Sequence, residues 1–340
     1  MNANAYGFGS LPAGLCSSPP VPPCADPRFG KVTEYSTQAI SNFNGMVISY
    51  QQHFSRWGGA IFQANYTYGH TLDEVSNGGL FNFTSAGLTN PQDPRNLRGA
   101  YGPAEYDVRH SLNASYVLEV PLKAMFRGHG PDHLVKGWQV SGTVFARTGF
   151  PYTAVDLARS FALTSNNYFG LLYAVPVGPL PTGVACGKEA AFPAAPRPCL
   201  PPQFMKDGMT PDPNALFVQS GCETGFNIGN SPGTSGPCGG PAVSFAQGRN
   251  RFRGPNYFNT DFAITKTTRI PHWDDGALRI GVQLFNAFNH PNFGIPNAST
   301  SDFTFGQIFS LAQSPTSIAG SGLGADTAPR MIQLKLELQF

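Results

Sequence analysis

A carboxylate, a cation and an imidazole stand close together at Asp107, Arg109 and His110, the first combination in this sequence that suggests acid–base chemistry. Such catalysis needs a base within hydrogen-bond reach of the group it activates. On an extended strand Asp107 and His110 project to opposite faces, so the three are not expected to form a catalytic group. His129 and His133, in HGPDH, have the spacing of a helical metal pair, but Gly130 and Pro131 intervene and the segment reads as a solvated turn. Six cysteines, Cys16, Cys24, Cys186, Cys199, Cys222 and Cys238, fall in Pro/Gly-rich stretches with no C-x2-C spacing and no nearby histidine, which argues against zinc. They are candidate disulfides, local pairing in sequence order being the simplest of 15 connectivities, and such pairing needs an oxidising compartment. Phosphate-loop, nucleophile-elbow, zinc-protease and dinucleotide fingerprints are absent in the context they require, so no enzyme activity and no cofactor are expected.

The elements that would carry these residues are strands. Only 12% of the chain is charged, against roughly 25% in soluble globular proteins, while 39 Gly and 31 Pro supply turns. No run of 18 apolar residues occurs, which excludes α-helical spans but not strands that alternate apolar and polar residues. A formal charge of +2 gives no reason to propose nucleic acid as a partner. Period-two alternation long enough to cross a bilayer appears in seven segments: 44–54, 60–72, 107–121, 137–149, 257–270, 277–289 and 330–340. The last is the cleanest, with Ile332, Leu334, Leu336, Leu338 and Phe340 on one side and Gln333, Lys335, Glu337 and Gln339 on the other.

Connection lengths distinguish a membrane barrel from a soluble sandwich. Links after the first, third and fifth segments are short or moderate, whereas 73–106, 150–256 and 290–329 are long loops. Short turns on one side and long loops on the other are the asymmetry of outer-membrane barrels, with the short side periplasmic. Trp57, Trp138 and Trp273 lie in or beside the short turns, where an aromatic girdle belongs. The expected architecture is therefore an all-β, antiparallel transmembrane β-barrel segment occupying 43–340, with 1–42 a remnant of an extracellular loop. Single-chain bacterial barrels have even strand numbers, so seven strands imply a fragment, unless an eighth hides in 31–41. The N-terminus has no signal-peptide pattern, and the beginning of the protein is expected to be missing.

Specific phrases add a family resemblance. DPRNLRGAYGPAEYDVRH at 93–110, GRNRFRGPNYFNTDFAITK at 248–266, LFNAFNHPNFG at 284–294 and the strand ending in Phe340 resemble Oar-like TonB-dependent receptors. The resemblance covers most of 41–340 and weakens over 156–247. It implies a barrel of about 22 strands filled by a plug, an N-terminal segment that contacts TonB, and import of a scarce ligand. Plug and TonB-contact segment are not in this sequence. The expected partners are outer-membrane lipid, the barrel assembly machinery, the plug and TonB through the N-terminal region, and an unknown extracellular ligand. The alternative is a structural or adhesive barrel of the outer membrane that transports nothing.

Within that frame Ile332, Leu334, Leu336, Leu338 and Phe340 read as a barrel-assembly signal, recognised by strand addition. Arg109, Glu119, Arg147, Asp261, Arg279, Lys335 and Glu337 read as lumen-facing charges, either ligand-selecting or paired along a wet wall. Asp93, Arg95, Asn96 and Arg98 organise a turn, with ligand contact the competing role. The 156–256 loop is the expected ligand- or plug-facing surface.

Overall fold

The computed structural model describes residues 37–55, 59–76, 96–156, 173, 174, 176, 212–217, 248–270, 273, 276–300, 302, 304–312 and 329–340. Seven long strands form one antiparallel sheet: β1 (Ser41–Phe54), β2 (Ala60–Asp73), β4 (His110–Val120), β5 (Trp138–Arg147), β8 (Tyr257–Arg269), β9 (Ala277–Phe285) and β10 (Met331–Gln339). They pair in chain order. A two-residue strand β3 (Gly102–Pro103) adds to the far end of β2, and β6 (Pro151–Tyr152) pairs separately with β7 (Phe252–Arg253).

The register gives the sheet two unlike faces. One row crosses all seven strands as Phe54, Ala60, Leu118, Val140, Ile264, Val282 and Leu334, without a polar side chain. A row of the opposite face runs Glu119, Gln139, Thr265, Gly281 and Lys335. An apolar outside and a polar inside are what a lipid-embedded barrel requires. Gly142 has a packing reason on the apolar face. A Cβ there would stand 2.6 Å from the Tyr116 hydroxyl and 2.5 Å from the Asp261 carbonyl oxygen, so only glycine lets the Tyr116 ring lie across its neighbour.

Among the described residues β1 and β10 are the edges of the sheet and do not pair with each other. Every step across the seven strands is antiparallel, so β1 and β10 run the same way. Antiparallel closure then takes an odd number of further strands between them.

Several expected boundaries move. β1 starts at Ser41, inside the segment assigned to a loop remnant. β4 starts at His110 rather than 107, because Asp107 leaves the ladder for a turn in which its N–H donates to the Ala104 carbonyl. β5 ends at Arg147, and β9 ends at Phe285 because Asn286 takes a left-handed conformation (φ 46°) that no strand continues. The 121–137 connection holds one-turn helices at Leu122–Met125 and Asp132–Val135, the second of which begins inside HGPDH, the segment expected to be a solvated turn. Pro131 is tolerated there because it precedes the second helix, where its missing N–H has no intrahelical role. The six cysteines, Trp57, Asp93, Arg95 and all of the 31–41 candidate strand before residue 37 lie outside the described residues.

Candidate functional site

The long-loop end of the sheet is organised by two buried aspartates, each gripped by an arginine from the segment around β7. Asp73 ends β2. Arg249 donates from Nη1 to Asp73 Oδ1 at 2.6 Å and to the Asp73 carbonyl at 2.8 Å, and from Nη2 to Ser76 Oγ at 2.7 Å. The Ser76 hydroxyl donates to Asp73 Oδ2 at 2.9 Å and accepts from the Glu105 N–H at 2.9 Å. Arg249 and Asp73 side chains are 2% and 1% exposed, so the pair is out of water and depends on these extra bonds to offset desolvation.

Asp107 lies just ahead of β4 with its side chain fully buried. It accepts from the Thr71 N–H at 2.7 Å, from Arg109 Nε at 3.1 Å and from Arg253 Nη2. Burial pushes its carboxyl up, but the Thr71 N–H and Arg253 more than offset this, with His70 adding to them, and hold it below the usual carboxylate range. His70 Nδ1 lies 3.3 Å from Asp107 Oδ1, and Arg109 Nη2 lies 3.1 Å from His70 Nε2. Arginine only donates, so Nε2 accepts and the ring proton belongs on Nδ1, facing the carboxylate. Arg253 also donates to the carbonyls of Asp107 and Gly149, at 2.8 and 3.2 Å, which ties the entry of β4 to the exit of β5.

Between the two arginines, Asn250 adopts φ 55°, its backbone N–H donating to Thr153 Oγ1 at 2.7 Å and its amide to the Pro103 carbonyl at 2.7 Å. Phe252 points the other way, into an apolar core made by the loops themselves: Tyr152, Val155, Phe217, Phe305 and Ile308 are all at most 2% exposed. The Phe217 ring meets Phe252 and Phe305 edge-on at 6.1 and 5.8 Å, the geometry aromatic quadrupoles favour. Burial raises the Tyr152 phenol, and burial with nearby Glu105 and Asp73 pushes the Tyr173 phenol up to about 12, so both stay neutral within this core.

The expected site residues distribute unevenly. Glu119, Arg147, Asp261, Arg279, Lys335 and Glu337 share the polar face by register. Of these, Arg279 and Lys335 meet Glu337 at 3.6 and 3.0 Å. Asp261 instead accepts from Asn259 Nδ2 and from the Asn286 N–H, both at 3.0 Å. The Arg147 guanidinium lies 3.9 Å from the Phe150 ring centre, a cation–π contact. Arg109 joins the Asp107 cluster. Ile332, Leu334, Leu336 and Leu338 lie on the apolar face, all exposed, and Phe340 stacks on Trp273 with ring centres 6.2 Å apart.

Asp107 and His110 do not meet, though not because they share a strand: Asp107 binds His70, and His110 Nδ1 lies 2.7 Å from the Tyr66 hydroxyl. Asn96 caps the 3-10 turn Leu97–Ala100, accepting from the Gly99 N–H at 3.2 Å. His129 precedes the helix that holds His133, and among the described residues no group of three acids, histidines or cysteines could hold a metal. Sequence reasoning assigned no role to His70, Asp73, Ser76, Arg249 or Arg253. The available signal was G-R-N-R-F-R-G at 248–254, where Arg249 and Arg253 turn inward and Arg251 is exposed.

Chemically, the site joins segments far apart in the chain into one charged, hydrogen-bonded network. It fixes loop geometry over one end of the sheet. Comparison with known families matches residues 2–333 to a model described as an outer membrane beta barrel domain. No curated protein and no solved structure matches the chain.

Proposed function

Since the chain belongs to the outer membrane beta barrel domain family and so resides in the bacterial outer membrane, we propose that it forms barrel wall and loops of an Oar-like, TonB-dependent receptor. One observation supports this beyond the family itself. The phrases that carry the resemblance, read separately in the sequence, meet in space: DVRH supplies Asp107 and Arg109, and GRNRFRG supplies Arg249 and Arg253. A barrel serving only as a wall has no need of loops built on a buried ion network and an aromatic core. A receptor needs loops held in one geometry for a ligand arriving from outside. On this reading the long loops face outward, the short turns face the periplasm, and the polar-face charges line the lumen toward a plug.

The test is contact with TonB. The full chain as the cell makes it, carrying a photo-crosslinker in its N-terminal region, is expected to form an adduct with TonB in intact cells. Absence of the adduct, with the protein folded in the outer membrane, would replace transport by a structural or adhesive role.

A further inference from the structure

The apolar face of the described strands carries one Asp, Glu, Lys or Arg side chain, Lys266. A lysine toward lipid is disfavoured at mid-bilayer and tolerated near the headgroups. Lys266 pairs in register with Trp138, at the short-turn end, and its Nζ lies 5.9 Å from the centre of that ring. It donates to the Lys136 carbonyl at 2.6 Å, the Thr267 carbonyl at 3.1 Å and Thr268 Oγ1 at 3.0 Å, so the long side chain is drawn toward the end of the strand. No carboxylate among the described residues pairs with it; Asp274 and Asp275 lie outside them.

Directly beside Lys266 stands the 121–137 connection. Met125, Phe126 and Leu134 are 68%, 59% and 59% exposed there, although nothing in an aqueous turn calls for three bare apolar side chains. The same segment carries Lys123, Arg127 and Lys136 against a single acid, Asp132. Asp132 pairs with both lysines, and their hydrogen bonds hold its carboxyl at about 2, so it stays ionised and offsets one positive charge. The Trp138 indole N–H donates to the Leu134 carbonyl at 2.7 Å, which ties the connection to the start of β5. Gly137 (φ 77°) permits this approach, since a Cβ would lie 2.2 Å from the Thr267 carbonyl oxygen. On the polar side of the sheet, beneath the connection, a cavity of about 490 Å³ is lined by Glu119, Lys123, Lys136, Gln139, Thr267 and Arg279, so the exposed apolar side chains of the connection are separate from it.

We infer that 121–137, with Trp138 and Lys266, is a seat for an anionic phospholipid of the short-turn leaflet. Met125, Phe126 and Leu134 enter the acyl boundary while Lys123, Arg127, Lys136 and Lys266 face the phosphate. Apolar side chains beside a net excess of cations at headgroup depth are the features of an interfacial anchor. The inference rests on the outer-membrane reading with short turns toward the phospholipid leaflet.

The test uses the full chain reconstituted in phosphatidylcholine bilayers, with Trp138 the only tryptophan left. A small fraction of brominated phosphatidylglycerol or brominated phosphatidylcholine is added, and quenching is compared. Preference for the glycerol lipid of about fivefold is expected, the size one headgroup-level cation supplies. It should vanish in a Lys123→Gln, Arg127→Gln, Lys266→Gln variant that keeps its phosphatidylcholine quenching. Equal quenching by both lipids, or a preference that survives in the variant, overturns the seat while leaving the barrel reading intact. Absence of quenching by either lipid overturns both.

Discussion

The wall and the loop cap of this protein are stabilised by opposite means. In the wall, neighbouring strands satisfy each other's backbone groups, the apolar face needs only lipid, and exposed leucines such as Leu334, at 78%, are where they belong. Among the described residues of the cap, regular structure is slight: β6 and β7 hold two residues each, and order comes from a packed aromatic core and two buried arginine–aspartate grips. The wall therefore depends on its solvent and the cap on its own contacts. A substitution that breaks one should leave the other standing.

The largest separation is expected from Arg249→Met. Removing one partner of a buried ion pair costs about 3–5 kcal/mol, because Asp73 would remain buried without its cation. Proteolysis of the 73–106 and 248–256 segments on intact cells should accelerate sharply, while the heat-modifiable migration that reports a folded wall stays unchanged. Loss of both together would show that cap and wall fold as one unit.

Leu336→Arg probes the comparison from the other side. A cation facing the bilayer midplane costs about 2–4 kcal/mol. Folding yield in lipid vesicles should fall, and any protein that does insert should keep a protease-resistant cap. An unaltered folding yield would remove Leu336 from the lipid face.

A smaller effect, acid sensitivity, should be confined to the cap. The Asp107 carboxyl is held below its ordinary range in the folded protein, so its stabilisation is fully present above the unfolded carboxylate pKa and is lost as pH falls through the depressed folded value. Cap protease resistance should be flat from neutral pH down to the carboxylate range and decline below it. In Asp107→Asn that decline should shrink; a decline of the same size would place the acid response elsewhere.

The same contrast explains what was legible in the sequence. All seven wall strands could be read because a half-exposed strand stamps a period of two on its residues, and lipid on one side keeps the pattern sharp from Ile332 to Leu338. The cap leaves no period. Tyr152, Phe217, Phe252 and Phe305 form one core from positions far apart in the chain, and no local rule predicts that they meet. Asp107 was misread for a related reason. It continues the alternation of β4, yet a bond to the Thr71 N–H of another strand takes it out of the ladder. The polar face was legible as a face, but not in its pairings, since Arg279 meets Glu337 only through the register of β9 with β10.

The shared direction of β1 and β10 bears on self-association. Copies that share one sidedness, long loops toward one face and short turns toward the other, stand the same way up in the membrane. Two of them meeting edge to edge would have to pair parallel, a ladder this sheet nowhere uses, with no short turn to set its register. Strand polarity alone thus discourages the copies from completing one another, and reserves both rims for chain that runs in the opposite sense.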